Sequence, residues 1–184
     1  MMNASSLLES SSISLSALET IPFQPPPRPE DPPAETIRDA STVRLEFNVM
    51  PEKEISETLH VREYRVWDNY AEATFDRTYS SMMTASPSHL IFLTGLAHSQ
   101  KLLYVLMAHR LGRRYSPGDP EFGKFWVTDL RIHIPRMVRQ EVNLVERLWI
   151  LSQVRTGESS WSIEVYTSFC DSLGMWGRIP FFLL

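Results

Sequence analysis

The feature that most constrains this chain is an apolar helix, followed without a break by four strand-like segments that run to the last residue. Residues 88–110 (SHLIFLTGLAHSQKLLYVLMAHR) set Leu90, Leu93, Leu96, Ala97, Leu103, Tyr104, Met107 and then Leu111 at helical spacing. Leu102, Val105 and Leu106 fill much of the other side, and a helix apolar nearly all round must be wrapped. FWVTDLRIHI, EVNLVERLWILS, WSIEVYTSFC and MWGRIPFFLL each alternate with period two, joined by the turn-like PRMVRQ, VRTGESS and DSLG. The pattern predicts an α+β fold in which one antiparallel sheet encloses a long central helix.

Upstream, TVRLEFNV, TLHVREYRV and YAEATFDRTYS read as further strands, with MMTASP as a loop before the helix. Pro87 disfavours helix at Ser86 and itself suits a first helical position, while Gly112 suits the helix end. RRYSPGDPEFGK is an excursion punctuated by Pro117, Gly118 and Pro120. In the first segment after it, Trp126, Thr128, Leu130, Ile132 and Ile134 share one face; in the third, Trp161, Ile163, Val165, Thr167 and Phe169 do. The last residues, IPFFLL, are too apolar to stand in solvent, which predicts an edge strand or a subunit interface.

Residues 1–40 are Ser-rich and then Pro-rich, a composition that buries too little surface to offset backbone ordering, so a flexible or extended arm is expected there and one domain over 41–184. Residues 1–60 hold ten acidic and four basic side chains against twelve and fourteen in the rest, so the domain itself is near neutral. With a formal charge of -4 there is no electrostatic case for nucleic acid. Cys170 is the single cysteine and cannot form an internal disulfide, and the N-terminus lacks a signal-peptide layout; a cytoplasmic protein is the expectation. His98, Gln100, Lys101 and His109 interrupt the helix, which argues against a membrane span.

His89-Leu90, followed by Gln100-Lys101-Leu102-Leu103-Tyr104, resembles the central helix of the FcoT type of fatty acyl-CoA thioesterase, a hot-dog fold family. The resemblance covers about residues 55–184, mostly through pattern. It implies a single hot-dog domain, a homodimer or higher homo-oligomer formed by sheet continuation, an acyl-CoA or acyl carrier protein substrate, and no cofactor. The sequence departs from the family where Gln100 replaces an Asn and Met83 replaces a Tyr, with Tyr79 four residues upstream. The dehydratase branch pairs a loop His with an acid well inside the helix, and that helical position is apolar here.

Thioester hydrolysis needs donors for an oxyanion and a group that positions or deprotonates water. His89 is a candidate base or carbonyl donor, or a helix cap. His98 and Gln100 interrupt an apolar helix and need partners, which substrate, Tyr64, Tyr79, Glu72 or Asp76 could supply. Backbone N–H groups around Thr94 and Gly95 could face a carbonyl; alternatively Gly95 only lets a strand approach. Tyr104 is a substrate-binding candidate. Arg113 and Arg114 follow the helix end, where cations suit the dipole or could meet CoA phosphates. No metal-ligand spacing, Gly-rich phosphate loop or G-x-S-x-G elbow is present. Three functional classes fit: a thioesterase; a dehydratase, isomerase, conjugate-addition or cyclisation enzyme on polyketide-like acyl chains; and a non-catalytic lipid-binding module.

Overall fold

The computed structural model describes residues 25–38, 42–50, 53–81, 92–115 and 122–184, with the backbone alone at 42–50, 53, 54 and 92. Before the helix come β1 (Glu35–Arg38), β2 (Thr42–Met50), β3 (Lys53–Val66) and β4 (Tyr70–Ser81); after α1 (Phe92–Arg110) come β5 (Gly123–Phe125), β6 (Asp129–His133), β7 (Leu144–Gly157), β8 (Ser160–Phe169) and β9 (Leu173–Leu183). All nine strands of the described residues join one antiparallel sheet. Its main path is β1-β3-β4-β7-β8-β9-β5, curled around α1. One antiparallel sheet curled around a long helix is the arrangement that the sequence pattern predicts.

Each sheet edge is made of two short pieces. β1 pairs with the Glu63–Val66 end of β3 and β2 with Lys53–His60 of it, while β5 pairs with Phe181–Leu183 and β6 with Gly174–Arg178 of β9. The edge strand expected at IPFFLL needs correction: Ile179–Leu183 lie in β9, second from the edge, with β8 on one side and β5 and β6 on the other. An apolar strand of this kind is protected by neighbours on both flanks, which removes the free edge its composition would make hazardous.

Alternation decides what faces the helix. Leu144, Glu146, Leu148 and Ile150 of β7 point inward, as do Ile163, Val165, Thr167 and Phe169 of β8, and all are buried. They meet Leu102, Leu103, Leu106 and Met107 of α1, each fully buried. Burial of side chains of this size contributes about 1.5–3 kcal/mol apiece. The helix ends as its glycine predicts. Gly112, at φ 64°, follows the last turn, with Arg113 N–H donating to Ala108 O (2.8 Å) and Gly112 N–H to His109 O (2.9 Å).

The outer face of the sheet is not uniformly wet. Tyr70, Trp149, Tyr166 and Trp176 form a second, smaller apolar cluster there, with Trp67 packed against it. Residues 25–34 of the Pro-rich arm lie over part of this cluster, ahead of β1.

Candidate active site

A cavity of about 290 Å³ runs along α1 between the helix and the β5–β6 edge. Leu96, Leu103, Phe125, Leu130, Val165 and Ile179 make most of its wall apolar; Ser99, Gln100 and Thr167 are its polar members. A concave, largely apolar space with a few convergent polar groups is the usual form of a small-molecule site. The volume lies at the small end of that class.

Behind Ser99 stands a buried carboxylate. Ser99 Oγ lies 2.6 Å from Glu146 Oε1 and 3.0 Å from Gly95 O, so its single proton serves either acceptor. The other Glu146 oxygen is hydrogen-bonded to Nδ1 of His98, and both side chains are fully buried. Burial pushes the Glu146 carboxyl above its ordinary range, an effect the His98 and Ser99 contacts oppose but do not cancel. The other ring nitrogen of His98, Nε2, has no partner among the described residues. Its ring sits between Phe75 (centroids 5.0 Å apart) and Tyr64 (6.2 Å).

The partners expected for His98 were otherwise. Tyr64 does stack near it, but Glu72 and Asp76 alternate on β4 with the inward Ala71, Ala73 and Phe75 and so face outward. Glu72 joins Tyr70, whose hydroxyl is pushed up by burial and then by this carboxylate, and Arg147 at 3.3 Å. Asp76 joins Arg62 (2.9 Å to Nε) and Asn143 N–H (2.9 Å), and that backbone donor leads the contacts that hold its carboxyl low.

Gln100 is exposed and lines the cavity. Thr94 is buried, and its hydroxyl lacks a partner among the described residues. At Gly95 an added Cβ would stand 3.3 Å from Phe169 Cε2, so the glycine lets β8 close on the helix. Tyr104 donates its hydroxyl to Gly123 O and packs on Phe122 and Phe125, which fixes β5 against α1. Tyr79 lies opposite Glu57 in the β3–β4 ladder, 5.6 Å from the Arg77 guanidinium, and does not line the cavity. Arg113 and Arg114 are exposed, the first with its guanidinium 5.6 Å from the Phe122 ring. His89 and Met83 fall outside the described residues. Among the described residues no three His, Cys, Asp or Glu side chains gather as metal ligands would, and no helix is long and apolar enough to cross a membrane.

Ser99 and Glu146 were missed by the sequence reading. Glu146 left a signal, since it is the one charged residue in the inward series Leu144, Leu148, Ile150 of its strand. Ser99 left none beyond its place in an apolar helix.

No protein-family model matches the chain, and no curated protein does. Solved structures similar to it include a thioesterase of Haemophilus influenzae (12% identity over 66% of this chain and 79% of that one, TM-score 0.41). Others are a mutant thioesterase of Pseudomonas aeruginosa (11%, 68% and 82%, 0.42) and a dehydratase heterocomplex of Xenorhabdus doucetiae (17%, 68% and 82%, 0.42). At such identities and scores the likeness carries neither reaction nor substrate to this chain.

Proposed function

We propose that the chain is an acyl thioester hydrolase acting on CoA-bound or carrier-bound acyl or polyketide chains, with the acyl group in the cavity beside α1. The observation that supports this reading best is the pairing of an apolar cavity with one polar stretch of helix, Ser99-Gln100, backed by a buried carboxylate.

The chemistry follows from those groups. Water adds to the thioester carbonyl carbon; its proton passes to Ser99 Oγ while Ser99 gives its own to Glu146 Oε1. A carboxyl raised by burial is a stronger base than a free one, which suits this transfer. The Gln100 amide donates to the carbonyl oxygen as charge builds there. The C–S bond then breaks, and the leaving thiolate recovers the proton from Glu146 through Ser99. Acid and thiol are the products, and no cofactor enters. His98 holds Glu146 in place from its far side. His89 remains a candidate second donor, and Arg113 and Arg114 are assigned to the CoA or carrier phosphates.

A second reading, a proton-shifting or water-eliminating enzyme on the same acyl chains, is favoured by one feature: the relay moves a proton in and out without a fixed nucleophile. Incubating the pure protein with acyl-CoAs of several lengths and following free thiol separates the two. Hydrolysis releases thiol, and Ser99→Ala or Gln100→Ala lowers that rate by about a hundredfold. No thiol at any chain length, with an isomerised or dehydrated thioester recovered, decides for the second reading; unchanged thioester throughout defeats both.

A further inference from the structure

The aromatic cluster on the outer face lies across the sheet from α1 and its cavity, and the acyl chemistry makes no use of it. Trp67, Tyr70 and Trp149 form a continuous ladder there, with ring centroids 5.0 Å and 4.9 Å apart. Over the ladder runs PPPRPEDPPA, residues 25–34, without helix or strand. Proline lacks an N–H, so such a segment offers its neighbours carbonyl oxygens and flat ring faces. The ladder supplies what those groups need. Trp67 Nε1–H donates to Asp31 O (2.8 Å) and Trp149 Nε1–H to Pro27 O (3.4 Å). Indole donors and stacked aromatic surface are the general means by which proteins bind polyproline helices. Charge agrees with this, since Arg28 lies 4.0 Å from Glu72, an acid held on the outer face by Arg147.

The segment is seated loosely. Pro26 and Pro33 are half-buried and the remaining residues of 25–34 are exposed. Open clefts of about 750 Å³ and 440 Å³ flank it, walled jointly by the segment and by Trp67, Tyr70 and their neighbours. The aromatic cluster continues from Trp149 to Tyr166 (5.8 Å between centroids), both of them buried. A segment inherent to the core would be buried by its contacts, whereas most of this one stays exposed.

We infer that the outer face is a receptor for a proline-rich segment bearing a cationic residue, with residues 25–34 as its built-in, displaceable ligand. Tethering through β1 gives the resident segment a high effective concentration, so the receptor is filled in cis unless the segment is weakened or outcompeted.

The test uses the full chain with Pro26→Ser, Pro27→Ser, Arg28→Ser and Pro29→Ser, and a fluorescent peptide of residues 25–35. The altered chain should bind the peptide saturably and at least tenfold more tightly than the unaltered chain does. Adding Trp149→Phe or Trp67→Phe, each of which keeps a ring and removes the N–H, should weaken binding severalfold, and a peptide with alanine for every proline should bind at least tenfold more weakly. Absence of saturable binding to a folded altered chain overturns the inference. So does equal binding by the alanine peptide, or indifference to both tryptophan changes. A second measurement needs no altered arm. With the arm unaltered, cleavage after Glu30 by a glutamate-specific protease should rise severalfold with Trp67→Phe plus Trp149→Phe, and also, in the unaltered chain, with millimolar peptide carrying glutamine in place of Glu30 and Glu35. A cleavage rate that neither treatment moves overturns the inference as well.

Discussion

Glu146 is the residue on which both the buried packing and the proposed chemistry depend most. Its carboxyl is fully buried between α1 and β7, and burial raises its pKa above the ordinary 4.5. For an acid with a raised folded pKa, the sign is fixed by linkage: the favourable contribution is whole below the unfolded value and is lost as pH rises through the folded one. Glu146→Gln keeps the shape and removes the titration. Its melting temperature relative to the unaltered chain should therefore climb as pH rises from about 4.5 through the folded pKa of Glu146, then level off. Thiol release should show an acid limb in the unaltered enzyme at that same raised pKa, and Glu146→Gln should lower the rate by about a hundredfold. A melting difference that stays flat from pH 4 to 8 would show that the carboxyl is not strained by its burial. At this scale Gln100 was legible as a polar break in an apolar helix. His98 was legible as a buried group needing a partner, but the partner was not, because it depends on how the helix is rotated against β7, which no local spacing records.

At the scale of elements, β5 decides whether the cavity has a wall. Gly123 begins it, and a Cβ there would run into the Phe181 ring and stand 2.9 Å from Phe182 O, an atom of the ladder itself that cannot move aside. Gly123→Ala should cost about 1–3 kcal/mol by denaturant unfolding, as overpacking does. If β5 then detaches, Phe125 leaves the cavity and KM for long acyl chains should rise more than kcat falls. Equal stability and unchanged KM would show that β5 is not needed to close the site. The sequence shows FWVTDLRIHI as one strand from Phe125, whereas the structure divides it into β5 and β6, separated at Trp126–Thr128. Alternation continues through such a break, so periodicity could not reveal it. The helix end was different: Gly112 and its paired hydrogen bonds are local, and local chemistry was readable.

For the whole molecule, the open question is what covers β6. Among the described residues it pairs only with β9, which leaves its outer edge for another strand, and Trp126, Val127, Ile134 and Met137 stand exposed around it. Two of these, Trp126 and Val127, also wall the cavity, so whatever covers the edge would help close the site. An edge with exposed apolar side chains is a place for association, and a second copy joined edge to edge meets it with the same groups by symmetry. We expect sedimentation at micromolar concentration to give twice the 21.3 kDa of one chain. Ile134→Glu with Met137→Glu should return it to one chain and raise KM, since the cavity mouth then opens. Exchange of the Pro-rich arm between copies is the rival source of a dimer, and it makes the opposite prediction: serines at Pro26, Pro27 and Pro29 would dissociate it while the β6 glutamates would not. A folded, fully active single chain under both sets of changes would place the whole site within one copy and remove sheet continuation from the account.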